Sequence, residues 1–229
     1  AMMDEGAGDL SASKFQESME ELAMKMRFDD GRDAFYGSFE TLSVNREASV
    51  ELLKLALTRP RFEAEAVERI RKQLLASLAY AAKDPNSVAG KEWSALAFAG
   101  HPYGRPGNGT PDSIAAIGRE DLVAYHRRVF AKSTLKVAVV GDIDAKALGL
   151  LLDKVFGDLP AKPELVAVAN TVPRTGLGQK VIEMNVPQSV AQFGLGAMVR
   201  KDPDFMTAFV MNHILGGGGF ASRLMEEVR

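Results

Sequence analysis

Apolar residues recur at helical spacing through most of the first 156 positions, interrupted by short alternating or continuous runs. Residues 11–26 place Phe15, Met19, Leu22, Ala23 and Met26 on one face and predict a helix, with Ser11 or Ser13 as N-cap. Residues 33–43 alternate, with Phe35, Gly37, Phe39 and Thr41 on one side, and predict a strand. Asn45 is placed to cap a helix running to about Thr58, which the Arg59-Pro60 pair closes because a residue before proline avoids helical geometry. A long helix follows over residues 63–83, with the stripe Val67, Ile70, Leu74, Leu75 and Leu78. Asp84-Pro85 ends it, and Pro85 suits the first turn of a helix carrying Trp93, Leu96 and Phe98.

Residues 100–109 hold four glycines and two prolines and predict a loop. Thr110-Pro111 opens a short helix, and residues 119–130 form another with Leu122, His126, Val129 and Phe130 on one face. The continuous apolar run 135–140 predicts a buried strand, and Asp144 caps a helix to about Phe156. Composition then shifts. Residues 157–178 carry Pro160, Pro163 and Pro173 with Gly157, Gly176 and Gly178, which predicts a linker. Beyond it, residues 180–186 and 190–198 predict two strands joined around Pro187. A nearly all-apolar helix spans 204–215 and breaks at Gly216, Gly217, Gly218 and Gly219. Strands and helices mixed without βα alternation predict an α+β fold.

Neither end carries a start or stop signal, and the amphipathic pattern of residues 222–229 halts in mid-course, so we expect a piece of a longer protein. An internal echo adds to this. Gly6-Ala7-Gly8 leads to Ser13-Lys14-Phe15, and Gly216 to Gly219 lead to Ser222-Arg223-Leu224, an offset of 222 − 13 = 209 residues.

Composition removes several function classes. The 229 residues carry a net charge of −2 without a basic stripe, which argues against nucleic acid as partner. No apolar run approaches the ~18 residues that a membrane span needs. The absence of cysteine excludes disulfides, thiolate chemistry and Cys-ligated metals. Three histidines, at 101, 126 and 213, are too scattered to share a helix face as ligands.

Each candidate for chemistry has an ordinary structural reading beside it. Val137 to Asp144 runs strand, glycine, helix, but Gly141 stands alone where a dinucleotide site needs G-x-G-x-x-G. The run Gly216 to Gly219 lacks the Lys-Ser/Thr of a phosphate loop and reads as a hinge or a close-approach loop. His126 follows Leu122, and His213 follows Phe209, each by four residues on an apolar face, so both read as packed histidines. His101, in the glycine-rich loop, is the histidine with a plausible binding role, and Tyr103 beside it is a possible loop contact. The glutamates at 17, 20, 21, 63, 65 and 68 read as solvated helix faces.

Taken in order, these segments carry a resemblance. Arg61-Phe62 with Ala64 to Arg69, His101-Pro-Tyr-Gly-Arg105, Gly109-Thr110, Glu120 to His126, Val139 to Asp144 and the closing run Leu215 to Arg229 resemble the pitrilysin-type (M16) zinc peptidases. That family includes the mitochondrial processing peptidase and the core subunits of the cytochrome bc1 complex. The resemblance implies homologous α+β units, each with an antiparallel or mixed sheet covered by helices on one side, and turns the 209-residue echo into a duplication. Residues 1–158 would be a first unit lacking its N-terminal part, 159–178 a linker, and 179–229 the start of a second unit.

Active members carry an inverted zinc motif, H-x-x-E-H, whose two histidines share a helix face while the glutamate activates a zinc-bound water. Here that motif would end at or just before Ala1. A further glutamate ligand comes from a later helix, and its position falls at Ala76 or Ser77, neither of which ligates zinc as a carboxylate does. The resemblance therefore implies a non-catalytic subunit that holds no zinc itself, with zinc in a catalytic partner. In such subunits an arginine and a tyrosine seven residues apart hold the substrate peptide opposite the zinc, and Arg229 matches that arginine. The glycines 216, 217, 218 and 219 match a glycine-rich segment used on substrates. The implied partners are a peptide and a zinc-bearing M16 subunit in a bacterial-type heterodimer, or further copies of the chain. Two alternatives stand beside this: a structural or assembly protein of the same fold, and an active zinc endopeptidase with Glu68 as a substitute ligand and its other ligands outside this sequence. The compartment, bacterial cytoplasm or periplasm, is not legible.

Overall fold

The computed structural model describes residues 2–228. Helix α1 (Ala12–Glu21) starts where Ser11 accepts a hydrogen bond from the Lys14 N–H, and it buries Phe15 and Met19. It stops earlier than its apolar spacing predicts. Ala23 takes a left-handed φ of 47°, and the N–H groups of Ala23 and Met24 turn back to the carbonyls of Glu20 and Met19. Leu22 therefore ends the helix, and Met24, Met26 and Phe28 reach the core by strand alternation instead. Strand β1 (Lys25–Asp30) pairs antiparallel with β2 (Phe35–Glu40), with Phe28 opposite Gly37 and Lys25 opposite Glu40.

Helix α2 (Arg46–Thr58) buries Val50, Leu52, Ala56 and Leu57. Asn45 precedes it but does not cap it; its amide donates to the Leu22 carbonyl at 2.9 Å and ties α2 to the end of α1. Helix α3 (Ala64–Ala81) buries Ala66 and Val67 alone; of the rest of its predicted stripe Ile70, Leu75 and Leu78 are partly buried and Leu74 is exposed. Next come α4 (Pro85–Ala97), capped by Asp84, and α5 (Pro111–Ala116), closed by a reciprocal Thr110–Ser113 capping box. Helices α6 (Arg119–Val129) and α7 (Ala145–Phe156) complete the packed region, and Asp144 caps α7 through the Ala147 N–H. One core joins Met3, Phe15, Met26, Phe28, Val50, Phe62 and Val155. Leucine and phenylalanine side chains in such a core contribute roughly 1.5–3 kcal/mol each.

Outside this core the picture changes. The expected buried strand at 135–140, and those at 180–186 and 190–198, form no ladder among the described residues, and Val140, Val181, Phe193 and Leu195 are exposed. A strand signal marks which side chains would face a core, but the ladder needs a second chain segment alongside. No such ladder forms for these runs among the described residues, and the expected sheet reduces to the β1–β2 hairpin. The predicted helix 204–215 divides into α8 (Phe205–Asn212) and a wider π-helical turn, His213–Gly217. A short helix, α9 (Arg223–Val228), follows. No helix is long and apolar enough to cross a membrane among the described residues.

Candidate functional site

The first element of the candidate site is the turn that precedes α1. Gly6 holds φ +94°, and a side chain there would meet the Ala12 backbone nitrogen at 2.9 Å, so the turn requires glycine. Two backbone bonds stitch this turn to the segment after α2: Gly8 N–H donates to the Arg59 carbonyl (2.9 Å) and Arg61 N–H to the Gly6 carbonyl (3.1 Å). The Glu5 carboxylate pairs with Arg69 on α3, and Gln16 donates to the Asp4 carbonyl. Asp4 Oδ1 is buried with no hydrogen-bond partner among the described residues.

Helix α3 is the element expected to carry a ligand. Ala76 and Ser77 are both exposed on it. Glu68, the alternative ligand, pairs with Arg71 Nε at 3.1 Å. That arginine also donates to the carbonyls of Ile114, Ala115 and Ile117 at the end of α5, so Glu68 orients a helix-end clamp. Among the described residues no group of three or more His, Asp or Glu side chains is placed to hold a metal ion. Ala76, Ser77 and the Arg71-paired Glu68 offer no ligand set that fits a zinc ion among the described residues.

His101 and Tyr103 meet, in the predicted loop. The His101 ring caps the turn Pro102–Gly104, accepting the Tyr103 N–H at Nδ1 (3.2 Å), while Nε2 donates to the Ala169 carbonyl (3.0 Å). Those partners assign the proton to Nε2. The two rings lie edge to face at 4.7 Å. Tyr103 donates its hydroxyl to Asp33 in the β1–β2 turn, which pushes its pKa above the ordinary phenol value, and the Arg32 guanidinium lies 5.6 Å over its ring. Sequence reasoning singled out His101 and Tyr103 but missed Arg32, Asp33 and Ala169. The charged turn at residues 29–33 was the available signal for the first two; the Ala169 carbonyl left none.

The remaining candidates lie apart from these. His126 is packed, as its spacing predicts: Nε2 donates to the Leu57 carbonyl at 2.8 Å, and its ring stacks on Phe130 at 5.0 Å. Burial lowers its pKa below the usual imidazole value. His213, expected to be packed as well, is exposed, because nothing covers its helix among the described residues. Gly216 and Gly217 end the π-helical turn, Gly218 follows, and Gly219 takes a left-handed φ of 62°. The turn, α8 and Arg223 line a shallow apolar hollow of about 480 Å³ with Val210, Met211 and Ile214. Arg229, and Ala1 where the inverted zinc motif would end, lie outside the described residues.

Packed helices on a small antiparallel hairpin, followed by a glycine-broken apolar helix, define a helix-rich α+β unit. Residues 116–229 match the family described as the peptidase M16 inactive domain. The chain is 27% identical over 230 residues to the non-peptidase homolog YmxG of Helicobacter pylori, covering 100% of this chain and 52% of that protein. It is 29% identical to a probable mitochondrial-processing peptidase subunit beta of Schizosaccharomyces pombe, over 73% of this chain and 38% of that one. A crystal structure of a peptidase M16 inactive domain from Pseudomonas fluorescens superposes with a TM-score of 0.84 at 26% identity, covering 100% of this chain and 56% of that chain. Pitrilysin, at a TM-score of 0.60 and 15% identity over 74% of this chain and 19% of its own, shares the fold. The chain spans about half the length of the curated relatives it matches.

Proposed function

We propose that this chain is part of a non-catalytic M16 subunit, which binds an unfolded peptide and completes the zinc site of a catalytic partner. The observation that carries the reading is on α3: past Glu68 the helix has no carboxylate, and the positions matched to the family's ligand are Ala76 and Ser77. The likeness to a relative named a non-peptidase homolog, over the full length of this chain, supports it. In this reading residues 1–158 and 179–229 belong to two homologous units and 159–178 to their linker. Arg229 and the glycines 216–219 hold the peptide, and zinc sits in the partner. A guanidinium suits that task because its planar fork of donors grips a backbone carbonyl.

The test is a peptidase assay on the full-length protein, alone and mixed with a zinc-bearing M16 subunit. Activity is expected in the mixture and absent from the protein alone, and Arg229→Ala is expected to lower the mixture's kcat at least tenfold. Chelator-sensitive activity in the protein alone overturns the reading. A mixture no more active than the zinc-bearing subunit by itself favours a structural role.

A further inference from the structure

The loop before α5 holds a chemically reactive pair. Asn108 and Gly109 end a turn in which the Gly109 N–H donates to the Pro106 carbonyl (3.0 Å), and Asn108 is exposed. Of the six asparagines in the sequence, at 45, 86, 108, 170, 185 and 212, Asn108 alone precedes a glycine. Glycine has no side chain to shield its backbone nitrogen, so that nitrogen reaches the side-chain amide of the residue before it. Each other asparagine is held or crowded. The Asn45 amide is bound to the Leu22 carbonyl, and the Ser87 N–H after Asn86 is taken by Asp84 Oδ2 (2.8 Å). Asn170 and Asn185 precede the β-branched Thr171 and Val186, and Asn212 sits in the helical backbone of α8. The reactive pair also abuts α5. Gly109 takes φ +74°, and a Cβ on it would lie 2.8 Å from Ser113 Oγ, the capping-box atom that accepts the Thr110 N–H.

We propose that Asn108-Gly109 is a site of spontaneous deamidation and that its isoaspartyl product uncaps α5. The Gly109 nitrogen gives its proton to solvent base and attacks the Asn108 side-chain carbonyl carbon. The new C–N bond closes a five-membered succinimide, and ammonia leaves. Water then opens the ring at either carbonyl, so the sum is amide plus water to acid plus ammonia, with no change of oxidation state. Opening at the side-chain carbonyl gives aspartate on an unaltered backbone. Opening at the main-chain carbonyl gives isoaspartate, which inserts one methylene into the chain between residues 108 and 109. That extra length displaces Gly109 from Ser113 and parts the Thr110–Ser113 bonds, while the Arg71 clamp still grips the far end of α5. The bond on the Gly109 nitrogen closes a single exposed turn, which opens at low cost and leaves the site reactive in the folded chain. The site is independent of the zinc and peptide readings, and its test has no peptidase readout.

The test is to age the full chain in mildly alkaline buffer, folded and in urea, and to map isoaspartyl and aspartyl peptides by mass spectrometry. Modification is expected at Asn108 ahead of the other five asparagines, with the folded chain reacting at no less than about a tenth of the rate in urea. Asn108→Gln should leave position 108 unmodified over the same period. Hydrogen exchange then reads the cap through the Ser113 and Ile114 N–H groups, which donate to Thr110 Oγ1 (3.2 Å) and the Thr110 carbonyl (2.9 Å). Both should exchange about fivefold faster in the isoaspartyl fraction, as loss of one cap predicts. Asn108→Asp, which adds the charge without the methylene, should leave them unchanged. A folded rate below that tenth, modification spread evenly over the asparagines, or unchanged exchange in the isoaspartyl fraction overturns the proposal.

Discussion

Residues 2–159 and 160–228 are alike in apolar patterning and opposite in burial. The first region places Phe15 and Val155 at 0% exposure. The second leaves Phe193 and Leu195 at 90%, and the residue it buries below a tenth of its surface, among those described, is Ser222. The physical difference is partnership. Helices α1, α2, α6 and α7 and the β1–β2 hairpin turn their apolar faces toward one another. The later strand-like segments form no ladder among the described residues, and their contacts with α4 leave Phe193 and Leu195 exposed. Apolar pattern marks a face; only a second surface turns it into stability.

The largest effects should separate the two regions. Phe15→Ala removes a fully buried ring and should cost about 3–5 kcal/mol, read as a fall in the urea midpoint. Phe193→Ala, on the exposed segment, should change it by less than about 0.5 kcal/mol. Comparable losses from the two would break the comparison. Gly6→Ala should cost about 1–3 kcal/mol, because a left-handed backbone is combined with a backbone collision. Thr110→Ala, which opens the α5 capping box, should cost about 1 kcal/mol by the same measurement.

The smallest effect is on pH. Burial holds the His126 imidazole below its ordinary value, so between the two values the unfolded chain binds a proton that the folded chain does not. Its contribution is complete above about pH 6.5 and declines as the pH falls through the unfolded value toward the folded one. The urea midpoint should therefore drop between pH 7.5 and 5.5, and His126→Gln should flatten that part of the profile.

Much of the packed region was legible because its signals are local. Ser11, Thr110 and Asp144 cap the helices they were expected to cap, and Pro85 stands in the first turn of α4, which Asp84 caps. The errors came where a non-local partner decides. Asn45 found the Leu22 carbonyl instead of its own helix. The α1 end was set by a left-handed Ala23, a conformation that alanine does not advertise. The strands at 135–140, 180–186 and 190–198 could be read as apolar runs, but no residue within a run tells whether a neighbouring strand will pair with it. In the site, His101 and Tyr103 stood out as unusual residues in a glycine-rich loop, whereas Ala169 enters through a backbone carbonyl that any residue supplies.

The proposed non-catalytic role is tested most directly by metal analysis of the full-length protein. After purification in zinc-supplemented buffer and removal of loosely held ions, zinc should be far below one per chain, with Ala76 and Ser77 standing at the matched ligand positions. One tightly held zinc per chain would contradict it.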